Sequence, residues 1–303
     1  MFKKDSKSQN LFEKEFTIKT LIFLLCSFCA MQVSFAQESQ LKPQYAVGVT
    51  YNMPFDTVVN VKGKEQVLKM DVYAPVQVST SKKLPTVLLL FGGGFYWGNK
   101  NNYPMETICN RMAQMGFVAI SIDYRTRWKK SLPELEKGAT TLYRAIQDLS
   151  SAMLFLETDI ASVNQWQIDT SKFFLGGNSS GSIIAMNYHF IEPKNSNIFS
   201  HLEAELGAWS KPSFRASALI NLCGAISDTD LIAKPTPILS AHGNEDNIVP
   251  YKTATVDFKI PFITTFPKVT LQGSYWINKR SQNIGAKSHL YTFENQRHSP
   301  FDG

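Results

Sequence analysis

The stretch Lys172-Phe-Phe-Leu-Gly-Gly-Asn-Ser-Ser-Gly181 joins a short apolar run to a corner of small residues. It contains the pattern G-x-S-x-G, with Gly177, Ser179 and Gly181 at the fixed positions. A sharp turn from a strand into a helix holds the central serine on strained backbone, with its hydroxyl above the sheet. We therefore predict a strand, a helix beginning near Ser182, and a nucleophile at Ser179. A Gly/Ser-rich loop would also contain so short a pattern, so the rest of the chain has to decide.

Apolar runs alternate with helical patterns on both sides of this stretch. The run Leu84–Phe91 is typical of a strand buried on both faces. Before it, Tyr45–Pro75 predicts two or three antiparallel strands with a turn at Lys62-Gly63-Lys64. Further predicted strands are Phe117–Ile122, Phe173–Leu175, Ala216–Leu222, Pro237–Ala241 and Leu290–Phe293, and predicted helices are Met105–Met115, Glu136 to about Ile160, Ser182–His189 and Leu271–Ile284. This alternation predicts an α/β fold, with a mainly parallel central sheet and helices on both faces.

The first 36 residues have the pattern of a secretory signal peptide. Met1–Lys19 is polar, Thr20–Val33 is mostly apolar, and Ser34-Phe35-Ala36 places small residues where a signal peptidase reads. We expect cleavage after Ala36, a secreted or periplasmic protein, and a single domain over 37–303. An uncleaved N-terminal anchor is the alternative, but the apolar run is short for a membrane span. No other stretch is long and apolar enough, so we expect no stable membrane insertion after cleavage.

Charge and cysteine content narrow the range of partners. Residues 1–36 hold five lysines and three acids, so their removal lowers the formal net charge from +6 to +4. A mildly basic surface does not predict a nucleic-acid partner, and the basic run Arg125–Lys130 is interpreted as a solvated loop. Cys109 and Cys223 could pair in an exported protein or remain buried thiols. No cluster of His, Cys, Asp and Glu has the spacing of a metal site.

A glycine-rich segment, Phe91-Gly-Gly-Gly-Phe-Tyr-Trp-Gly98, directly follows a predicted buried strand. Backbone N–H groups there can face a substrate, and with the N–H after the nucleophile they can stabilise an oxyanion. The candidate donors are Gly93, Gly94 and Ser180, and a flexible turn is the alternative interpretation. Three aromatic residues that follow strand ends are candidates for the mouth of a substrate pocket: Phe95, Trp97 and Trp128.

A serine nucleophile needs a general base, and histidine suits neutral pH. The chain holds five histidines, which are His189, His201, His242, His289 and His298. His298 follows the last predicted strand, beyond its carboxyl end, where parallel sheets bind ligands. His289 begins the same strand and so lies at the opposite end. We predict His298 as the base, and a solvated histidine near the C-terminus is the alternative.

The base needs an acid that fixes its tautomer and stabilises the imidazolium. Asp246 lies in the short loop after the predicted strand that ends at Ala241, at the carboxyl edge of the sheet. Asp228 and Asp230, which follow the preceding strand, are the other candidates. The order serine, Asp246, histidine along the chain is that of the triad in α/β-hydrolases.

Residues 68–298 resemble α/β-hydrolases of the carboxylesterase and lipase group that carry an HGGG-type oxyanion loop. The motifs that carry the resemblance are Met70–Pro75, Gly92–Phe95, Ser121–Arg125, Arg144–Asp148, Ile168–Lys172 and His242–Pro250. It implies hydrolysis of carboxylic esters through an acyl-enzyme, without a cofactor. Phe91 replaces the loop histidine, which implies altered loop packing. The sequence ends five residues after His298, where similar proteins usually continue into a helix.

Two segments, Glu192–Arg215 and Val256–Thr270, are interpreted as insertions. They could form pocket walls or surface segments packed by their own aromatic side chains. The predicted function is a serine esterase acting on short-chain or carbohydrate-linked esters of the acetyl or feruloyl type. The alternatives are a peptidase of the same fold and a binding protein on an inactive hydrolase scaffold.

Overall fold

The computed structural model describes residues 43–79, 81–128, 134–192, 199–256 and 269–301. Within these ranges the strands are β1 (Val47–Val59), β2 (Glu65–Pro75), β3 (Leu84–Leu90), β4 (Val118–Ile122), β5 (Ile168–Asn178), β6 (Ala218–Leu222), β7 (Ala225–Ile226), β8 (Ile238–Gly243), β9 (Thr253–Val256), β10 (Val269–Gly273) and β11 (Ser288–Phe293). The α-helices are α1 (Met105–Gln114), α2 (Glu134–Ser162), α3 (Ser180–Phe190), α4 (Ser200–Leu206) and α5 (Ser274–Asn283). The expected signal peptide lies outside the described residues.

In the described part of the chain, the central sheet has eight strands in the order β1-β2-β4-β3-β5-β6-β8-β11. The pairs β1–β2 and β2–β4 are antiparallel, and every pair from β4 to β11 is parallel. From β3 to β4 the chain moves one way across the sheet, and from β4 through β5 to β6 it moves the other way. Right-handed crossovers therefore put α1 on one face and α2 and α3 on the other. This architecture confirms the predicted α/β fold, with a mainly parallel sheet between layers of helices.

The inner strands are apolar because both of their faces are covered. Every residue of β4 and β6 is buried, which is how a continuous apolar run becomes a central strand. The helix α1 ends before Gly116, whose φ of 92° is a left-handed conformation that follows helix ends. The helix after Ser179 begins at Ser180, two residues earlier than its sequence predicts.

The helix predicted over Leu271–Ile284 is wrong at its start. Val269–Gly273 form β10, which pairs antiparallel with β9 and β7 in a second, three-stranded sheet, and α5 begins only at Ser274. The N–H of Gly273 donates to the carbonyl of Lys252 at 2.5 Å. Pairing with strands that are distant along the chain overrides the local helical pattern.

The two predicted insertions are described only in part. Trp209 packs against Tyr188 with ring centroids 5.3 Å apart, and Phe214 against Phe173 at 5.0 Å. These contacts favour packing onto the domain for the first insertion. Three aromatic residues of the second, Phe258, Phe262 and Phe266, lie outside the described residues.

Neither a disulfide nor a membrane helix is found among the described residues. Cys109 and Cys223 are both buried and are not joined to each other, which agrees with the interpretation as buried thiols. Burial raises the pKa of Cys109 far above its ordinary value. None of the described helices has the length and apolarity needed to cross a bilayer.

Candidate active site

Ser179 forms the corner between β5 and α3. Its backbone has φ 53° and ψ −118°, a conformation that costs on the order of 1–3 kcal/mol for a residue with a side chain. The N–H of Ser179 donates to the carbonyl of Leu222 at 2.8 Å. Gly181 lies against the carbonyl groups of Leu90 and Phe91, where a Cβ would overlap them. The end of β3 therefore closes directly on the start of α3 and holds the serine at the carboxyl edge of the sheet.

His298 lies in the loop after β11, and its Nε2 is 2.9 Å from Oγ of Ser179. The next residue fastens this loop to the corner, because the Ser299 hydroxyl donates to Oδ1 of Asn178 at 3.1 Å. Phe301 is buried and packs against Phe293 at 6.3 Å between centroids. The histidine is thus held on both sides by contacts that the short sequence motif does not reveal.

Asp246 lies in the loop after β8, with Oδ2 2.6 Å from Nδ1 of His298. Its other oxygen accepts hydrogen bonds from the N–H groups of Ile248 and Val249 at 2.8 and 2.9 Å. Burial by itself raises the pKa of Asp246, but hydrogen bonds from His242 and His298 outweigh it and hold that pKa well below its usual range. The ionised carboxylate fixes the proton on Nδ1 of His298, which leaves Nε2 free to accept from Ser179.

The loops of Asp246 and His298 are joined by backbone contacts. The N–H of Glu245 donates to the carbonyl of Gln296 at 3.0 Å, and the N–H of Asn244 donates to that of Phe293 at 3.1 Å. The N–H of Asn295 donates to Oδ1 of Asn244 at 2.7 Å. The Asn244 side-chain NH₂ also donates to the carboxylate of Glu294, 50 positions further along the chain. The acid and the base are therefore positioned as one unit.

His242 supports the acid from behind. It is fully buried, and its Nε2 lies 3.0 Å from Oδ2 of Asp246 and 3.1 Å from the carbonyl of Val249. Both neighbours are acceptors, so we assign the proton to Nε2. Nδ1 then accepts from the hydroxyl of Ser274, 2.7 Å away.

The hydrogen bonds continue from Ser274 through Asn221 in β6. The Asn221 side-chain NH₂ donates to the hydroxyls of Ser274 at 3.0 Å and Ser240 at 3.1 Å, and its Oδ1 accepts from Ser182 at 2.5 Å. All four side chains are buried. Such a network rigidifies a core when its groups are satisfied. Polar residues inside otherwise apolar predicted strands, such as Asn221, were the available sequence signal for this network.

The glycine-rich loop lies beside the nucleophile. The carbonyl of Gly93 accepts from the N–H groups of Tyr96 at 3.1 Å and Trp97 at 3.0 Å. Gly93 has φ 134°, and a Cβ there would overlap the Trp97 carbonyl. A Cβ on Gly92 would lie 3.2 Å from that of Ser179. No described residue accepts from the N–H of Gly93 or Gly94. The amide of Ser180 begins α3, where helix N–H groups lack partners within the helix.

Phe91 and Tyr124 together order this loop. Their rings stack with centroids 4.2 Å apart at 15°. The Tyr124 hydroxyl donates to the Phe91 carbonyl at 2.9 Å and lies 3.2 Å from Oγ of Ser180. Burial raises the pKa of Tyr124, so the phenol stays neutral. The expectation of altered loop packing at Phe91 agrees with this arrangement, in which Tyr124 was not predicted.

The three aromatic residues predicted for the pocket differ in exposure. Phe95 and Trp128 are buried, whereas Trp97 is 50% exposed. Tyr96, which was not predicted, contacts both tryptophans, at 4.9 Å from Trp97 and 4.8 Å from Trp128. Arg127 lies over the Tyr96 ring at 5.5 Å. Trp97 and Tyr96 therefore belong to an aromatic cluster within the glycine-rich loop, and Trp97 is its exposed member.

The other candidate bases and acids have different surroundings. His189 is largely buried with Nε2 3.0 Å from Oγ1 of Thr236, and burial together with Lys211 and Arg215 lowers the pKa of His189 to about 3. His201 and His289 are exposed, in α4 and β11. Asp228 and Asp230 are exposed at a 3₁₀ helix, where Oδ1 of Asp228 accepts from the Asp230 N–H. None of these side chains hydrogen-bonds Ser179 or His298.

One group of three potential metal ligands, Cys223, Asp246 and His298, is found in the described ranges, with ligand atoms within 4.8 Å of one another. Asp246 and His298 already share the 2.6 Å hydrogen bond. We therefore assign both to an acid–base pair.

A model of the BD-FAE family matches residues 70–234, which is more than half of the chain. The chain belongs to the BD-FAE family. This membership places it among esterase-type hydrolases of the α/β-hydrolase fold and confirms the family resemblance predicted from its motifs. The match includes the glycine-rich loop and Ser179 but ends before Asp246 and His298. The roles of those two residues rest on the geometry described above.

Individual relatives agree with this family. The chain is 26% identical to Lipase 2 of Diutina rugosa over 168 residues, which are 54% of this chain and only 28% of the lipase. Phosphonylated esterase 2 of Thermogutta terrifontis is similar in structure, with a TM-score of 0.56, 17% identity and 86% coverage of each chain. Esterase B of Lactobacillus rhamnosis, with a tributyrin phosphonate, has a TM-score of 0.53, 13% identity, and coverage of 97% of this chain and 88% of the esterase. These two structures support the fold.

Proposed function

We propose that this protein is an exported serine carboxylic-ester hydrolase with Ser179 as nucleophile, His298 as general base and Asp246 as the acid. The observation that carries the proposal is the line of hydrogen bonds from Oγ of Ser179 to Nε2 of His298 at 2.9 Å and from Nδ1 to Asp246 at 2.6 Å. Nucleophile, base and orienting acid in mutual contact are the arrangement that activates a serine hydroxyl.

In the first half of the reaction, Nε2 of His298 takes the proton from Ser179 as Oγ attacks the ester carbonyl carbon. The carbonyl oxygen becomes an oxyanion, which the N–H groups of Gly93, Gly94 and Ser180 stabilise. When the intermediate collapses, the bond to the alcohol oxygen breaks, and His298 returns its proton to that leaving group. The acyl group is then bound to Ser179.

In the second half, water replaces the alcohol. His298 takes a proton from the water as its oxygen attacks the acyl carbon, and the same N–H groups stabilise the second oxyanion. Collapse breaks the bond to Oγ, His298 returns the proton to Ser179, and the carboxylic acid leaves. Asp246 stays ionised throughout and stabilises the imidazolium in both halves.

We propose short-chain or carbohydrate-linked esters, of the acetyl or feruloyl type, as substrates. The half-exposed Trp97 and its neighbour Tyr96 offer flat apolar surfaces within the glycine-rich loop, and such surfaces suit aryl or sugar groups. Structures of the Thermogutta terrifontis esterase bound to propionate and to butyrate support a short acyl group by analogy.

Hydrolysis of a panel of acetyl, butyryl, octanoyl and feruloyl esters tests the proposal and its substrate range. We expect turnover of the acetyl or feruloyl ester, and a fall in kcat of about 10⁴-fold or more in Ser179→Ala. Equal slow hydrolysis by wild type and Ser179→Ala would support the alternative of an inactive scaffold. Cleavage of peptides in preference to every ester would support the peptidase.

The base is tested by His298→Ala, with His289→Ala as the matched control. His289 is exposed in β11 and makes no described contact with Ser179, so its removal should leave kcat unchanged. If His289→Ala loses activity and His298→Ala keeps it, the assignment of the base is wrong.

Export is tested by sequencing the N-terminus of the protein recovered from the periplasm or the medium. The signal-peptide pattern predicts Gln37 as the first residue. A protein that keeps residues 1–36 and sediments with membranes would show the uncleaved anchor instead.

A further inference from the structure

A cleft of about 450 Å³ opens beside the β1–β2 turn. The side chains that matter for its chemistry are Lys62, Arg125, Arg144, Gln147 and Glu205. We call it the arginine cleft. Its volume lies in the range of small-molecule sites, about 300–1,000 Å³.

The arginine cleft lies on the same edge of the sheet as Ser179. The carboxyl ends of β3 and β4 are level, since Leu90 pairs with Ile122, and Arg125 follows β4 directly. The N–H of Arg127 donates to the carbonyl of Phe95 at 2.7 Å and ties this segment to the glycine-rich loop. Two strand spacings, about 10 Å, separate β4 from β5 along the sheet, so the segment that starts after β4 and carries Arg125 is offset from the corner of Ser179 by about that distance.

Arg125 is fully committed to protein partners. Its guanidinium pairs with the buried carboxylate of Asp148 at 2.7 Å and also contacts Gln147 at 3.2 Å and the carbonyl of Arg144 at 3.3 Å. Asp148 offsets its charge, and these contacts fix its position. Arg125 therefore forms a rigid wall of the cleft.

Arg144, by contrast, has no acceptor among the described residues. Its Nε is buried without a hydrogen-bond partner, and no described carboxylate lies within 4.0 Å of its guanidinium. Burial, followed by the nearby charge of Arg125, lowers the pKa of Arg144, and the carboxylates of Asp148 and Glu205 oppose this shift only in part. An arginine nevertheless remains protonated in proteins. The carboxylate of Glu205 is exposed and lies beyond ion-pair distance. Arg144 is only half-buried and lines the cleft, so its guanidinium can donate to an acceptor from outside the protein.

We infer that the arginine cleft binds an oxyanion, a carboxylate or a phosphate, on a sugar-sized ligand, with Arg144 as its main donor. The planar guanidinium matches both anions in a two-bond geometry. Lys62, exposed at the rim, adds a second positive charge. Because the cleft lies on the edge that holds Ser179, the anion is an acidic group of the ester substrate. This last step rests on the proposed function, whereas binding of the anion does not.

Calorimetric titration of the Ser179→Ala protein with D-glucuronate, inorganic phosphate and neutral D-glucose tests the binding. We expect saturable binding of at least one anion and none of glucose, and the anion that binds identifies the source. Arg144→Met should weaken binding at least tenfold, and Arg144→Lys should weaken it less, because it keeps the charge but loses the planar fork.

Lys64→Met is the matched control, since Lys64 is exposed on the same turn but does not line the cleft. Glu205→Gln should tighten binding by removing a like charge.

Two results would overturn the inference. One is the absence of saturable binding of either anion to a protein that is folded by circular dichroism. The other is equal binding by Arg144→Met and its parent. If Glu205→Gln lowers the melting temperature only when Arg144 is present and no anion binds, Glu205 is the missing partner.

The substrate step is tested separately in the active protein. The ratio of kcat/KM for an acetylated uronic acid to that for acetylated glucose should fall in Arg144→Met. An unchanged ratio, with calorimetric binding intact, would reject the substrate step and keep the anion site. If the wild-type protein hydrolyses none of these esters, the proposed function is rejected, but the calorimetric result on anion binding still stands.

Discussion

The two sides of Ser179 differ in how their polar groups are satisfied. On the side of Asp246, the donors of His242, Ser274 and Asn221 all have buried acceptors within the protein. On the other side, the N–H groups of Gly93 and Gly94 and the guanidinium of Arg144 have none among the described residues. Satisfied donors fix a group in place, whereas unsatisfied donors at the open edge of a sheet mark where a ligand supplies the acceptor.

The largest effect is expected from breaking the satisfied side at Asp246. Asp246→Asn keeps the shape but removes the charge that holds the Nδ1 proton of His298, and kcat should fall by about 10⁴-fold. Steady-state kinetics on an acetyl ester measure it. Asp228→Asn, at an exposed aspartate, should retain wild-type kinetics. A loss of less than tenfold in Asp246→Asn would mean that another group orients the base.

The next effect tests the unsatisfied side. Gly93→Ala places a Cβ against the Trp97 carbonyl at a φ of 134°, so the loop must move and the oxyanion loses a donor. We expect kcat to fall about 10²–10³-fold with a smaller change in KM. Gly63→Ala is the control, because its φ is also positive, at 73°, but nothing lies within 4 Å. Equal activity of both variants would remove Gly93 from the reaction.

A smaller effect should follow from opening the network behind the acid. His242→Phe removes one hydrogen bond from the carboxylate of Asp246 and leaves the hydroxyl proton of Ser274 without its acceptor, which should lower the free energy of unfolding by about 1–3 kcal/mol. Urea denaturation measures it. His289→Phe, at an exposed position in β11, should stay within about 0.5 kcal/mol of wild type. If the two variants unfold alike, the contacts of His242 contribute nothing to stability.

The pH dependence of the free energy of unfolding tests His189, a histidine that belongs to neither side of Ser179. The pKa of His189 falls from 6.5 to about 3 in the folded protein. The unfolded chain therefore binds the extra proton first, and stability should decline as the pH falls from about 6.5 towards 3, by at most about 1.4 kcal/mol per unit. His189→Gln can keep a hydrogen bond to Thr236 and should flatten this decline. An unchanged slope would assign the acid sensitivity to other groups.

Local patterns predicted the fold well because they depend on neighbouring residues. The apolar runs of β3 and β6 and the helical spacing of α2 are patterns among residues close together in the chain. Each of these three elements lies within a few residues of its predicted bounds. The failure at Leu271 came from β10, whose partners β7 and β9 lie elsewhere in the chain. Strand pairing of that kind leaves little trace in the segment itself.

Prediction of the site also succeeded where it depended on local position and failed where it depended on contacts between residues distant in the chain. Ser179, Asp246 and His298 were identified from their positions after predicted strands, and the structure brings all three together. His242 was placed in the motif of the acid, but its contact with Asp246 was missed. The Tyr124 contact with Phe91 was missed too, since it joins residues 33 positions apart that lie side by side only in the folded sheet.

The backbone of Ser179 has a consequence for the history of such a protein. A positive φ at a residue with a side chain lowers the free energy of unfolding, and glycine at that position would remove this cost. Under the proposed function, a lineage released from the need for the reaction would therefore gain stability by replacing Ser179 with glycine. The serine in this strained corner is the choice that stability alone disfavours, so reactivity and robustness oppose each other at this one position.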